Sequence, residues 1–210
     1  MSTAHIENEN YTYADVLEWD ESVRAEIING EVFMMSYPDT AHQVISREIF
    51  GLLYNFLKGK TCQVFSAPFG VRLFPKKNLS DDTFVLPDIV VVCDKAKLDK
   101  RGCNGAPDLI IEILSPSTAS HDRIAKFRLY QKAGVREYWI VDGEGRSVHV
   151  HILKNGHYIT TVYDETEDVP VSALPGCVIP VKEILPEAAE PQPPKFPAGY
   201  EQFKNSQETW

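Results

Sequence analysis

The sequence predicts an α/β fold: a mixed β-sheet with a parallel centre, flanking helices and outer antiparallel hairpins. Three observations carry that expectation. Residues 106–142, APDLIIEILSPSTASHDRIAKFRLYQKAGVREYWIVD, read as strand, loop, helix, tight turn and strand. Such a unit implies two parallel strands joined by a right-handed crossover. Asn29-Gly30 and Asn155-Gly156 each stand between apolar runs, the strongest short-range hairpin signal. Residues 40–58 carry Ile45, Ile49, Leu52, Leu53 and Phe56 at helical spacing.

In order along the chain, residues 1–10 are polar and are expected to fray. Thr12 is placed to cap a short helix running through Asp15 and Trp19. The first hairpin, RAEIINGEVFMM, carries Glu26 and Glu31 near its turn. Both are read as solvent-facing, and Glu31, which begins the second strand, as the better placed to point at a site. After the turn at Ser36-Tyr37-Pro38-Asp39 comes the long helix, with His42 and Glu48. Residues 61–67 and 69–74 read as strands interrupted at Pro68, and 75–82 as a polar loop. Residues 84–93 are β-branched and apolar, the pattern of a single buried strand. Residues 94–107 form a polar connection with Gly102 and Gly105. Strand 109–114 then leads through Ser115-Pro116-Ser117-Thr118 to a helix capped by Ser120, with Ile124, Phe127 and Leu129 as its buried side and Gly134 as its stop. Strand 137–142, the second hairpin and an apolar segment at 178–185 complete the fold.

Composition bounds the rest. The 210 residues are 43% hydrophobic and 24% charged, enough to bury one core. We expect one domain over residues 1–186, with its core at 24–163, and an extended proline-rich tail at 187–210. No apolar run approaches the ~18–20 residues of a spanning helix. The start MSTAHIENENYTYADV lacks a basic, apolar leader, so a cytoplasmic protein without a membrane partner is expected. Cys62, Cys93, Cys103 and Cys177 form no C-x-x-C pair and are expected to be free thiols rather than zinc ligands. The formal net charge of −9 argues against charge-driven binding of nucleic acid over the whole surface. The charge is uneven, however: residues 95–136 hold nine Lys and Arg against four Asp and Glu.

Two acids stand out. Glu112 lies inside an apolar strand, where an unpartnered carboxylate is costly. Asp88 heads the run LPDIVVV. If their strands are neighbours, the two carboxylates converge at one sheet end, and they then repel unless a cation lies between them. Oxygen-only ligands suit Mg²⁺ or Mn²⁺. Asp122, Lys126 and Tyr130 recur every four residues on the following helix, hence on one face. A lysine near a metal-bound water would stabilise developing negative charge. These are the parts of a metal-dependent phosphodiester hydrolase. There is no G-x-S-x-G elbow of a serine hydrolase, and His149 and His151, a pair without a third ligand, read as structural.

The motifs EIINGEVFMM, P-x-x-x-H at Pro38–His42, LPDIVVV, PDLIIEILSPST and D-x-x-x-K-x-x-x-Y-x-x-x-G-V-x-E-Y-W-I-V-D resemble the Uma family of restriction endonucleases, a branch of the PD-(D/E)xK nuclease superfamily. The resemblance implies a restriction-endonuclease-like core, Asp88 and Glu112 as catalytic and metal-binding acids, a Mg²⁺ or Mn²⁺ cofactor, DNA as substrate and a homodimer. The superfamily's lysine, two residues after the second acid, is replaced here by Leu114. The resemblance implies its transfer to Lys126, with Glu31, His42, Asp122 and Tyr130 as additional site residues. A second reading, favoured by the missing lysine and the acidic net charge, is a nuclease-fold protein acting as a binding or assembly module. Loops 76–82 and 95–105 are the expected specificity elements.

Overall fold

A computed structural model describes residues 10–20, 22–114 and 121–186, with the backbone alone for 121–123. The expectations for residues 1–9, for the cap at Ser120 and for the tail at 187–210 lie outside these residues. Along the chain run α1 (Tyr13–Val16), the hairpin β1 (Ala25–Ile28) and β2 (Glu31–Met34), α2 (Thr40–Leu57), β3 (Gln63–Ser66), β4 (Gly70–Arg72), β5 (Ile89–Val92), β6 (Gly102–Asn104), β7 (Leu109–Ile113), α3 (His121–Ala133), β8 (Glu137–Asp142), the hairpin β9 (Ser147–Lys154) and β10 (His157–Asp164), β11 (Asp168–Pro170), β12 (Val178–Pro180) and α4 (Val181–Ile184).

The central sheet has the order β10-β9-β8-β7-β5-β3. Its parallel pair is β7–β8, joined through α3, and every other neighbouring pair is antiparallel. Both Asn-Gly turns form as expected: Asn29, Gly30, Asn155 and Gly156 all have positive φ, the left-handed backbone that a two-residue hairpin loop needs. α2 lays Ile45, Ile49, Leu53 and Leu57 on one sheet face, against Ile89, Ile111, Trp139 and Val141. The opposite face, with Val90, Ile110, Tyr138 and Ile140, is covered by Leu129 and Tyr130 of α3. Each aliphatic side chain so buried stabilises the fold by ~1.5–3 kcal/mol. Among the described residues no helix is long and apolar enough to cross a membrane.

Several expectations need correction. The apolar run 84–93 is not one strand. Phe84 bridges Ile27 and Val85 bridges Val71, and only Ile89–Val92 joins the central sheet. Pro87 separates the two parts, since it has no N–H to give a ladder. The polar connection 94–107 contains β6, paired in parallel with β4. On α3, Ile124 is 62% exposed, while Lys126, Leu129 and Tyr130 are buried. Ile124 lies two positions from Lys126, about 200° round the helix, so the face that buries the lysine exposes the isoleucine. Cys62 and Cys93 are not free thiols. Gln63 pairs with Val92, so the two cysteines stand opposite one another just beyond the β3–β5 ladder, and a disulfide joins them. Cys103 and Cys177 are free and buried.

Of the two strand histidines, His151 has a structural setting. His151 is buried among Phe127, Tyr138 and Tyr158, with Nδ1 2.8 Å from Thr160 Oγ1. Burial, then the charge of His149, lowers its pKa to about 4. It is therefore neutral at pH 7.

Candidate active site

The site forms where β5 and β7 meet. Ile89 pairs with Ile111 in the antiparallel register, so Asp88, one residue before β5, stands opposite Glu112. Period-two alternation puts Glu112 on the face of Ile110, beneath α3. Asp88 Oδ2 accepts the backbone N–H of Ile113 at 2.7 Å and lies 3.2 Å from His42 Nε2. The Asp39 carboxylate caps α2 by accepting the backbone N–H of His42. This fixes the first turn of α2 over the same end of the sheet.

Lys126 enters from α3. Its Nζ donates to Glu112 Oε1 at 3.0 Å and lies 2.9 Å from Glu26 Oε2. Glu26 Oε1 also accepts the backbone N–H of Leu86 at 2.9 Å. One turn further along α3, Tyr130 donates its hydroxyl to Glu112 Oε1 at 2.6 Å. Glu26, His42, Asp88, Glu112 and Lys126 line one cavity of about 660 Å³.

Glu26 was expected to face solvent. It is instead 4% exposed, because Lys126, a hundred residues later in the chain, neutralises it. The signal was present in the sequence: Ala25-Glu26-Ile27-Ile28 is an acid in an apolar strand, the same pattern that singled out Glu112. Glu31 is exposed beside the hairpin turn and lines no part of the cavity. The side chain of Asp122 lies outside the described residues.

The charges are strongly coupled. Burial raises the Glu112 pKa; Lys126 lowers it, Asp88 and Glu26 raise it and the Tyr130 hydrogen bond lowers it, with a net rise to about 7. Burial opposes the charge on Lys126, but Glu112 and Glu26 outweigh it and raise its pKa well above the usual value. The lysine is thus an ammonium ion. Burial also opposes the charge on His42, and the hydrogen bond and charge of Asp88, with Asp39 and Glu112, turn the net shift upward. Burial, then the charge of Glu112, raises the Tyr130 pKa far enough to keep its hydroxyl protonated.

Hydrogen bonds to Asp88 fall on Oδ2 and those to Glu112 on Oε1. Among the described residues, no donor reaches Asp88 Oδ1 or Glu112 Oε2. Two carboxylates on one cavity wall, each with an oxygen that no donor among the described residues reaches, fit a hard divalent cation. No group of three or more His, Cys, Asp or Glu among the described residues could hold a metal ion by itself. The two acids therefore suit an ion that completes its shell with water or substrate oxygens, as Mg²⁺ usually does.

This sheet, with one parallel pair and two acids meeting at the end of its central strands, has a restriction-endonuclease-like architecture. The chain belongs to the Uma2 family, described as putative restriction endonuclease, which it matches over residues 13–182. Two Synechocystis sp. proteins, both named as uncharacterized, are similar to it. The protein slr1290 is 26% identical over 164 residues, 76% of this chain and 84% of its own length. The protein sll1609 is 24% identical over 136 residues, 62% of this chain and 74% of its own. Among solved structures, a putative nuclease belonging to DUF820 from Anabaena variabilis superposes with a TM-score of 0.68 at 23% identity, covering 83% of this chain and 97% of that one. That likeness shows the fold.

Proposed function

We infer that this protein hydrolyses phosphodiester bonds of DNA with a bound divalent cation, Mg²⁺ or Mn²⁺. One observation carries the reading: Asp88 and Glu112 oppose each other across β5 and β7, each with an oxygen that no donor among the described residues reaches, beside the buried ammonium of Lys126. Asp88 and Glu112 would hold the cation. When bound, it supplies polarisation of the phosphodiester and a water of lowered pKa.

The remaining residues have separable roles. Lys126 supplies fixed positive charge beside the reacting phosphate, stabilising the charge that develops there. It stands in for the lysine that Leu114 replaces just after β7. Glu26 anchors the ammonium from the side opposite Glu112, so Lys126 is positioned from two directions. Tyr130 fixes the Glu112 carboxylate through its hydroxyl. His42 holds Asp88 and partly offsets its charge.

The test is incubation of supercoiled plasmid with protein and Mg²⁺ or Mn²⁺. Wild type is expected to nick or linearise it, EDTA to stop the reaction, and Asp88→Asn, Glu112→Gln and Lys126→Met each to abolish it. Absence of cleavage of any DNA form by folded wild type would refute the nuclease reading. The engagement of Lys126 by two carboxylates favours a second reading, a nuclease-fold binding module. Metal-independent DNA binding without cleavage would identify it.

A further inference from the structure

We propose that the substrate strand is unpaired, and that α2 and the loop before it form a stacking track leading into the catalytic cavity. The inference rests on the nuclease reading above and adds the form of nucleic acid the site accepts. Four observations carry it.

The reacting groups are recessed. The side chains of Glu26, Lys126, His42, Asp88 and Glu112 are only 5–14% exposed. A phosphodiester must enter the cavity to meet them. In a duplex each phosphate is held on a stiff helix with paired bases on its inner side, and bringing it to a recessed floor costs unpairing or bending. A single strand bends in without that cost.

The wall beside these groups carries one aromatic ring on α2, Phe50, and continues outward along that helix. Gln43, Ser46, Arg47 and Phe50 all line the cavity, and i,i+3 and i,i+4 spacing makes them one stripe of α2. Tyr54 is the next position on that stripe. It is 53% exposed, and its ring stacks on Phe50 with centroids 6.1 Å apart and planes 14° apart. The two rings thus run in near-parallel steps from the cavity toward solvent.

A further aromatic stands at the lip. Tyr37 is 89% exposed, and its neighbours Ser36 and Pro38 both line the cavity. A ring so exposed makes no ring contact among the described residues.

Cations flank the track. Arg24 and Arg47 line the cavity and are exposed. Arg47 hydrogen-bonds its neighbour Glu48, while Arg24 has no side-chain partner among the described residues. Aromatic faces interleaved with cations bind the bases and backbone of a single strand without regard to sequence. They match a duplex poorly, because its base faces are already stacked on one another.

The experiment measures binding and cleavage separately. A fluorescein-labelled single-stranded oligothymidylate, its duplex with oligoadenylate and the corresponding single-stranded RNA are titrated with full-length protein in EDTA, and anisotropy is read. Both single strands are expected to bind at least tenfold tighter than the duplex. Tyr54→Leu and Tyr37→Leu are each expected to weaken single-strand binding about tenfold, the scale of one lost base–aromatic stack, while Tyr54→Phe and Tyr37→Phe retain it. Tyr37 is almost fully exposed, so unchanged melting temperatures are expected for both of its variants and for Tyr54→Phe; Tyr54→Leu also loses the stack on Phe50 and is expected to melt slightly lower while staying folded. Equal affinity for duplex and single strand, or unchanged affinity in both leucine variants, would overturn the proposal. Duplex cleavage with no preference for single strands would overturn it while leaving the nuclease reading intact. Aromatic-dependent single-strand binding without cleavage would defeat the nuclease reading and, with it, the claim about the substrate, leaving only the stacking track as a binding surface.

Discussion

Cation binding in this site should expel a proton. With its pKa raised to about 7, Glu112 holds a proton in most of the molecules at pH 6 and in few of them at pH 8. Burial and the nearby charges of Asp88 and Glu26 put the proton there, against the pull of Lys126. A divalent cation that uses Glu112 must displace it. Binding of Mg²⁺ should therefore release a proton, most fully at pH 6 and progressively less toward pH 8, and the apparent affinity should rise over the same range. His42, raised above its ordinary pKa beside Asp88, adds protons of its own, so the measurement is made in His42→Asn. Calorimetric titration of Mg²⁺ in two buffers of different ionisation enthalpy counts the released protons. Cation binding in His42→Asn with no proton release between pH 6 and pH 8 would refute the argument that Glu112 is a ligand.

Three further outcomes follow from the same geometry. Lys126→Met leaves Glu26 and Glu112 buried without their cation, so it should destabilise the fold by ~3–5 kcal/mol in urea unfolding; Glu26→Gln combined with Lys126→Met should recover part of that loss, and full additivity of the two changes would deny the ion pair. His151 titrates at about 4 when folded and near its ordinary 6.5 when unfolded, so the unfolded chain takes the proton first as pH falls. The stability it contributes is present above pH 6.5 and lost progressively down to pH 4, up to ~3 kcal/mol, and His151→Phe should remove that slope from a pH series of unfolding midpoints. The Cys62–Cys93 disulfide closes a loop of 31 residues, so reduction should lower stability by ~3–4 kcal/mol on the chain-entropy account; an unchanged urea midpoint in dithiothreitol would show that the bond contributes nothing.

Local pattern made most of the fold legible. Both Asn-Gly hairpins, the apolar stripe of α2 and the β7–α3–β8 unit each declare themselves within one short window of sequence. The opposition of Asp88 and Glu112 was also readable, because two buried runs each carried one misplaced acid. What was missed depends on distant partners. Glu26 is indistinguishable from a surface acid until Lys126 is known to reach it. The disulfide depends on the register of β3 against β5. Ile124 was assigned to the core because it is apolar, whereas the charge of Glu26 and Glu112 draws the lysine face of α3 inward. The short strand β6 has three residues, too few to show a period in a polar connection.

The most direct measurement is cleavage of a labelled DNA oligonucleotide by wild type and by Glu112→Gln, with Mg²⁺ or Mn²⁺ and with EDTA. The account predicts strand scission by wild type with cation alone, and none by the variant or with EDTA. Equal cleavage by wild type and Glu112→Gln, or scission that persists in EDTA, would contradict it.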